Sequence, residues 1–366
     1  MYAICESEHD PVAAVRTVLE SILARKLADA VLVAARSPYS ALPMPTLFTE
    51  PEKMEAVDPL APVAPFNAGR QAAAITKHPT GKRLALVLRP CEMRALIELV
   101  KLKQCSLENV ILIGIECLGR LENKVYLEHA SKTSDFTTAF YKNPELQAEI
   151  TRACRICEHF QPKGVDLTIS LLGYPAGSVG FFGETETGEK LIDQMGLTVS
   201  DVPEEREAAA GVLLGQRLAA RAALFQETAA KINTIDKFQK LIATCLNCYN
   251  CRTACPVCYC KECVFLTDVF RHRPENLIRR AVKRGAVKMP TDTTMFHITR
   301  LVHMSHACVG CGHCSSVCPS NIPVADIFRT VAAQTQVLFD YEPGRNVSEP
   351  VPYLVFEEET SDNLDT

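Results

Sequence analysis

Two copies of one cysteine spacing constrain this chain more than any other feature. Cys245, Cys248, Cys251 and Cys255, followed by Pro256, spell C-x2-C-x2-C-x3-C-P, and Cys308, Cys311, Cys314 and Cys318, followed by Pro319, spell it again. Cysteines spaced by two let one tight loop wrap three corners of an iron–sulfur cube, while the fourth ligates the other cube of a two-cluster protein. The expected ligand sets are therefore crossed: Cys245, Cys248, Cys251 and Cys318 on one 4Fe-4S cluster, and Cys308, Cys311, Cys314 and Cys255 on a second. Zinc also takes four cysteines, but two C-x2-C pairs complete such a site and leave no use for a third cysteine at the same spacing or for the proline. Seventeen cysteines, an odd number bunched in pairs and quartets, read as metal ligands rather than disulfides in a reducing compartment.

With 366 residues the chain is long enough for two or three cores. A net charge of −4 and 22% charged residues are ordinary for a globular protein and point to no nucleic acid. The start, MYAICESEHD, lacks the basic and apolar regions of a secretory signal. Apolar runs such as 30–35 and 84–88 are far shorter than the ~18 residues a span needs, so a cytoplasmic protein with no membrane span is expected.

The walk along the chain predicts an amphipathic helix from Pro11 to about Lys26 behind Asp10 as cap, then a buried strand over 30–35. A proline-rich passage over 38–65 reads as an irregular connection. Strands over 83–88 and 110–115 flank a helix-patterned segment opened by Pro90, a βαβ unit. Another strand covers 165–172, and a long helix over 203–245 breaks near Asn233. The fold class expected is an α/β N-terminal domain with a partly parallel sheet (1–200), a helical connector (201–244), a mostly α-helical two-cluster ferredoxin domain (245–340) and a C-terminal tail (341–366), acidic and frayed from Glu357 on. Cys91 and Cys117 follow neighbouring parallel strands, at the edge where α/β folds place ligands.

The segment FHITRLVHMSHACVGCGHCSSVCPSNIP resembles the α-helical ferredoxins of the succinate dehydrogenase and heterodisulfide reductase C-subunit type. RPCEMRALIELVK, VILIGIECLG and CRICEHFQPKGVDLTIS resemble the beta-subunit family of F-420-reducing hydrogenases and F-420-linked formate dehydrogenases, loosely over 10–195 and well over 82–172. This resemblance implies a third 4Fe-4S cluster on Cys91, Cys117, Cys154 and Cys157, and FAD. Singly, those cysteines also read as packed hydrophobes, a redox pair or half a zinc site. Gly173, Gly177 and Gly180 are the flavin candidates, because glycine lets backbone approach a cofactor; they read equally as turn glycines of a hairpin. The family's Gly-Gly element is replaced by SEHDPVAAV. The implied function is an electron-transfer subunit of an anaerobic oxidoreductase, with substrate chemistry on a partner: a formate dehydrogenase catalytic subunit, a hydrogenase or a heterodisulfide-reductase-like subunit. The alternative is a self-sufficient FAD oxidoreductase that uses F-420 or NAD(P)H directly.

Three features are left over. Cys258, Cys260 and Cys263 read as packing residues over a cluster, or with Cys5 or Cys105 as a fourth cluster. The basic stretch Arg271, His272, Arg273, Arg279, Arg280, Lys283, Arg284 and Lys288 is a solvated helix face or a dock for an acidic partner. His303 and His306 beside the second motif are expected to hydrogen-bond near a cluster.

Overall fold

The computed structural model describes residues 1–7, 10–174, 177–270 and 272–354. Strands β1 (Tyr2–Glu6), β2 (Ala30–Ser37), β3 (Ser40–Phe48), β4 (Leu84–Leu88), β5 (Val110–Ile115), β6 (Leu167–Ser170), β7 (Ser178–Gly183) and β8 (Thr198–Val199) form one sheet, ordered β3-β2-β4-β5-β6-β7-β1-β8. The four inner strands from β2 to β6 run parallel, and the outer ones are antiparallel. Successive side chains of a strand point to opposite faces, and both faces of this sheet are covered. Val31, Val33, Ala85 and Val87 pack with Val15, Leu19 and Ile22 of α1 (Pro11–Ala24). Their neighbours Leu32, Leu84, Leu86 and Leu88 pack with Ala72 of α2 (Gly69–Ile75) and Met93 and Leu96 of α3 (Pro90–Lys101). The uninterrupted apolar runs of β4 and β5 follow from that double burial.

Asp10 caps α1 as expected, its Oδ1 accepting from the Val12 N–H at 2.9 Å. The passage 38–65 departs from expectation, because it contains β3. Pro43 and Pro45 are tolerated there because β3 is an edge strand, where a missing N–H breaks no second ladder. Helices α4–α6 (Asn123–Ala130, Phe136–Lys142, Pro144–Gln147) and α7 (Arg152–Arg155) lead into β6, and α8 (Glu186–Met195) closes the α/β part.

Beyond it α9 (Glu204–Ile232) ends at Asn233, and α10 (Ile235–Leu241) restarts behind Thr234, whose hydroxyl accepts from the Lys237 N–H. Then come α11 (Asn250–Thr253), α12 (Pro274–Arg284), α13 (Thr293–Met304), α14 (His313–Ser316) and α15 (Val324–Leu338), packed around Phe238, Ile242, Phe265, Phe296 and Phe328. Residues 341–349 fold back along α3. The buried carboxylate of Glu98 accepts from the Tyr341 hydroxyl at 2.7 Å and the Gly344 N–H at 2.8 Å, and Lys101 pairs with Glu349. The acidic end from Glu357 on lies outside the described residues. Among the described residues no helix is long and apolar enough to cross a membrane.

Candidate metal centres

Parallel pairing of Leu88 with Gly114 sets the carboxyl ends of β4 and β5 side by side. Cys91, in the first turn of α3, and Cys117, two residues past β5, therefore meet at one edge. Cys154, on α7, and Cys157, two residues past it, arrive there: the Arg120 N–H donates to Cys154 Sγ at 3.4 Å, and the Cys117 N–H to the Phe160 carbonyl at 2.9 Å. The four cysteines line one internal cavity with Arg89, Arg120, Arg217 and Cys311. Gly119 has φ +120°, and a Cβ on it would come within 2.8 Å of Ile150 and 3.1 Å of the Cys154 Cβ, so the loop closes only with glycine.

The two repeated motifs adopt the same local backbone. Asn247 and Tyr249 flank Cys248 with φ of +50° and +61°, and Gly310 and Gly312 flank Cys311 with φ of +71° and +78°. Turns of this kind aim backbone N–H groups into anion-binding concavities. A short helix follows each, α11 and α14, and the two pack together. Cys255, Cys308, Cys311 and Cys314 line a second cavity, which shares Gly310 and Cys311 with the first. Gly312 makes that closeness sterically feasible, since a Cβ there would stand 2.4 Å from the Ala153 Cβ.

Burial pushes the Cys251 thiol up, with the sulfurs of Cys245, Cys318 and Cys248 adding to the shift and Arg300 opposing it. Burial likewise pushes Cys311 up to about 12, with Cys255 and Cys308 adding. It raises Cys117 to about 11, with Cys154 and Cys157 adding and Arg89 and Arg217 opposing. Cys91 is raised well above its ordinary value by burial, then by Glu92 and by the sulfurs of Cys311, Cys117 and Cys157. Thiols so placed ionise on binding a cation, which is the linkage of metal ligation to folding. Among the described residues no three His, Cys, Asp or Glu side chains are set to hold a single metal ion. The Cys91, Cys117, Cys154 and Cys157 set and the Cys255, Cys308, Cys311 and Cys314 set each stand around a shared space.

Buried arginines tie these loops together. Arg217 of α9 donates to the carbonyls of Cys117, Cys157 and Leu118. Arg329 of α15 donates to the carbonyls of Ala153 and Ile156 and pairs with Glu158 at 2.6 Å. Arg94 of α3 reaches the carbonyls of Pro343 and Val309.

A family model described as "4Fe-4S dicluster domain" matches residues 257–323. The beta subunit of the F-420-dependent formate dehydrogenase of Methanocaldococcus jannaschii is 25% identical, over 92% of this chain and 93% of its own length. The beta subunit of F-420-dependent formate dehydrogenase 1 of Methanococcus maripaludis is 26% identical, over 90% of each. The chain is a relative of these beta subunits. A solved structure of the F-420-reducing nickel-iron hydrogenase complex of Methanosarcina barkeri aligns with 64% of this chain and 93% of its own, at 11% identity and a TM-score of 0.47.

The dicluster match begins after Cys255, so it takes in Cys258, Cys260, Cys263 and the second motif. In the fold, Cys258 and Cys263 pack against the apolar core of the C-terminal part, and Cys260 is exposed. Cys5 and Cys105 lie with the cores of the α/β part, away from these three. The flavin-candidate glycines have close neighbours within the chain: a Cβ on Gly173 would stand 2.5 Å from the Arg206 Cα, and one on Gly180 2.2 Å from the Tyr174 hydroxyl. The Gly177 carbonyl accepts from the Ser7 N–H.

Sequence reading singled out His303 and His306 and passed over His297. His303 is exposed, and His306 is buried against Tyr353. His297 is in contact with a proposed ligand, its Nε2 3.4 Å from Cys245 Sγ, and His159 and His313 line the Cys91 cavity. The readable signal was polar residues at apolar spacing, since Phe296, His297, Arg300 and Met304 form the buried face of α13.

Proposed function

We propose that the chain is an iron–sulfur electron-transfer subunit of an oxidoreductase complex, of the kind its formate dehydrogenase relatives are named for. The observation that carries this reading is the continuity of the cysteine sites: Cys311 lines both the cavity of Cys255, Cys308 and Cys314 and that of Cys91, Cys117, Cys154 and Cys157. The proposed ligand sets are Cys245, Cys248, Cys251 and Cys318; Cys255, Cys308, Cys311 and Cys314; and Cys91, Cys117, Cys154 and Cys157. Clusters held there would supply one-electron chemistry at potentials the protein tunes by charge, burial and hydrogen bonds to sulfur. The chain's own part is to hold the thiolates, exclude water by burial, and offset their charge with Arg89, Arg217, Arg300 and Arg329. Catalysis on substrate falls to a partner subunit in this reading.

A flavin is a further expectation. Besides the three glycines, a cleft over the carboxyl ends of β2 and β4 is lined by Pro43, Pro59, Val63, Phe66 and Arg89, and it shares Ala64, Arg89 and Glu92 with the Cys91 cavity. Its position at a change in strand order is where such folds take cofactors, but its free volume of about 30 Å³ admits no flavin ring unless its walls part.

Anaerobic purification with iron and sulfide analysis tests the reading. About eight iron per chain means two clusters and about twelve means three, whereas zinc without visible absorbance would overturn it. Stoichiometric FAD with F-420 or NAD(P)H oxidation by the isolated chain would instead support the self-sufficient enzyme.

A further inference from the structure

The cations of the basic stretch sit on α12, which buries none of its residues, and Arg271 lies outside the described ones. The buried cations carry more. Among the described residues three buried guanidinium nitrogens find no acceptor: the Nε of Arg120, of Arg252 and of Arg300. Folded proteins rarely bury an N–H without a partner, and the cost is greatest on a charged group. All three arginines accompany cysteines. Arg252 directly follows Cys251, Arg300 lines the cavity of Cys255 and Cys308, and Arg120 lines that of Cys91 and Cys117.

Arg120 touches two sites. Its backbone belongs to the Cys91 site: the N–H donates to Cys154 Sγ at 3.4 Å, and the carbonyl accepts at 2.8 Å from the N–H of Thr151, which caps α7. Its side chain, 5% exposed, runs to the second motif. Nη2 donates to the Ser316 hydroxyl of α14 at 2.8 Å, and a Cβ on Gly312, between Cys311 and Cys314, would stand 3.7 Å from that nitrogen. Its positive charge acts on the Cys311 sulfur. Glu122 is 3.7 Å from Nη1 with a side chain 46% exposed, so it offsets this charge only weakly. The other two arginines of the Cys91 cavity donate to main-chain carbonyls, Arg89 to Ala61 and Val63 and Arg217 to Cys117, Cys157 and Leu118.

We propose that Arg120 sets two potentials together, those of the cluster on Cys91, Cys117, Cys154 and Cys157 and of the cluster on Cys255, Cys308, Cys311 and Cys314, with its Nε a donor to sulfur. The proposal rests on the cluster reading above and adds a shared tuning residue at the junction of the two sites. Positive charge and hydrogen bonds to sulfur favour the more reduced state of a cluster. A cation between two clusters raises both potentials, which eases reduction of the pair without widening the gap an electron crosses between them.

The test uses the iron-loaded full chain under anaerobic conditions, with potentiometric titration followed by electron paramagnetic resonance. Signals are assigned by their loss in Cys91→Ala, Cys308→Ala and Cys245→Ala. Arg120→Gln should lower the midpoints of the first two signals and leave the third in place, at the parent's iron content. Arg120→Lys keeps the charge and loses Nε, so both midpoints should fall between those of Arg120→Gln and the parent. Should Arg120→Gln fail to load iron, Arg120→Lys decides alone: midpoints below the parent's at both sites support the role, and midpoints equal to the parent's overturn it. A shift at only one of the two sites, or an equal shift at the Cys245 site, also overturns it. The two readings fail separately. About eight iron in the parent removes the third cluster and the shared role with it, whereas about twelve iron with unmoved midpoints in Arg120→Gln overturns the role of Arg120 alone.

Discussion

The guanidinium of Arg300 donates to the sulfur of Cys251 at 3.1 Å and to the carbonyl of the same residue at 3.3 Å. Burial works against its charge, and the sulfurs of Cys251, Cys255 and Cys314 outweigh that cost and hold it protonated. One cation thus faces sulfurs of two proposed cluster sites.

Positive charge and hydrogen bonds to sulfur favour the more anionic, reduced state of a cluster. Arg300→Gln should therefore lower the midpoint potential of the Cys251 site. A hydrogen bond to a charged group is worth ~1.5–3 kcal/mol, and about 1.4 kcal/mol corresponds to roughly 59 mV for one electron, so a drop on the order of 60–130 mV is expected. Potentiometric titration followed by electron paramagnetic resonance measures it, and an unchanged potential in an iron-replete variant would refute the role.

Crossed ligation makes a pairwise prediction. Cys318→Ala and Cys245→Ala should abolish the same resonance signal and each remove about four iron, and Cys255→Ala and Cys308→Ala should abolish the other. If Cys318→Ala instead extinguishes the signal lost in Cys308→Ala, each motif fills its own cube and the crossed sets are wrong.

Arg329 joins the α15 helix to the loop that carries Cys154 and Cys157, with its side chain 8% exposed and its partner Glu158 19%. Breaking a buried pair by removing one member costs about 3–5 kcal/mol, and Arg329→Met also strands the carbonyls of Ala153 and Ile156. Because Arg221 still pairs with Glu158, a loss near the lower end, about 3 kcal/mol, is expected. It should appear as a thermal midpoint several degrees lower under anaerobic scanning, and a midpoint equal to the parent's would show that the pair contributes little.

Replacing Cys258, Cys260 and Cys263 by serine should leave the iron count unchanged, since Cys258 and Cys263 pack with the core and Cys260 faces solvent. A stability loss of about 1 kcal/mol from the two partly buried sulfurs is expected. Loss of about four iron in the triple variant would establish a further cluster on those residues.

Much of this was legible locally. Apolar spacing marks α1, α13 and α15, the break of the long helix falls at Asn233, and the cysteine spacing marks both loops, because each signal lies within a few residues of chain. Strand β3 was missed because prolines argue against a strand unless it lies at an edge, and the sequence does not say which strand is outermost. Strand β1 was missed for a related reason: its partner β7 begins 172 positions after Glu6, at Ser178.

The amino-acid sequence by itself determined the two repeated loops, the alternation of strand and helix, and the chemical class of the ligands, since these depend on spacing and on side-chain type. Only the tertiary structure decided which sulfurs are neighbours. Parallel pairing of β4 with β5 brings Cys91 to Cys117, α11 after the first motif packs on α14 after the second, and Gly312 against Ala153 sets Cys311 beside the Cys91 cavity. These contacts join residues far apart in the chain, and their geometry follows from how the layers pack, a property no short stretch of sequence contains.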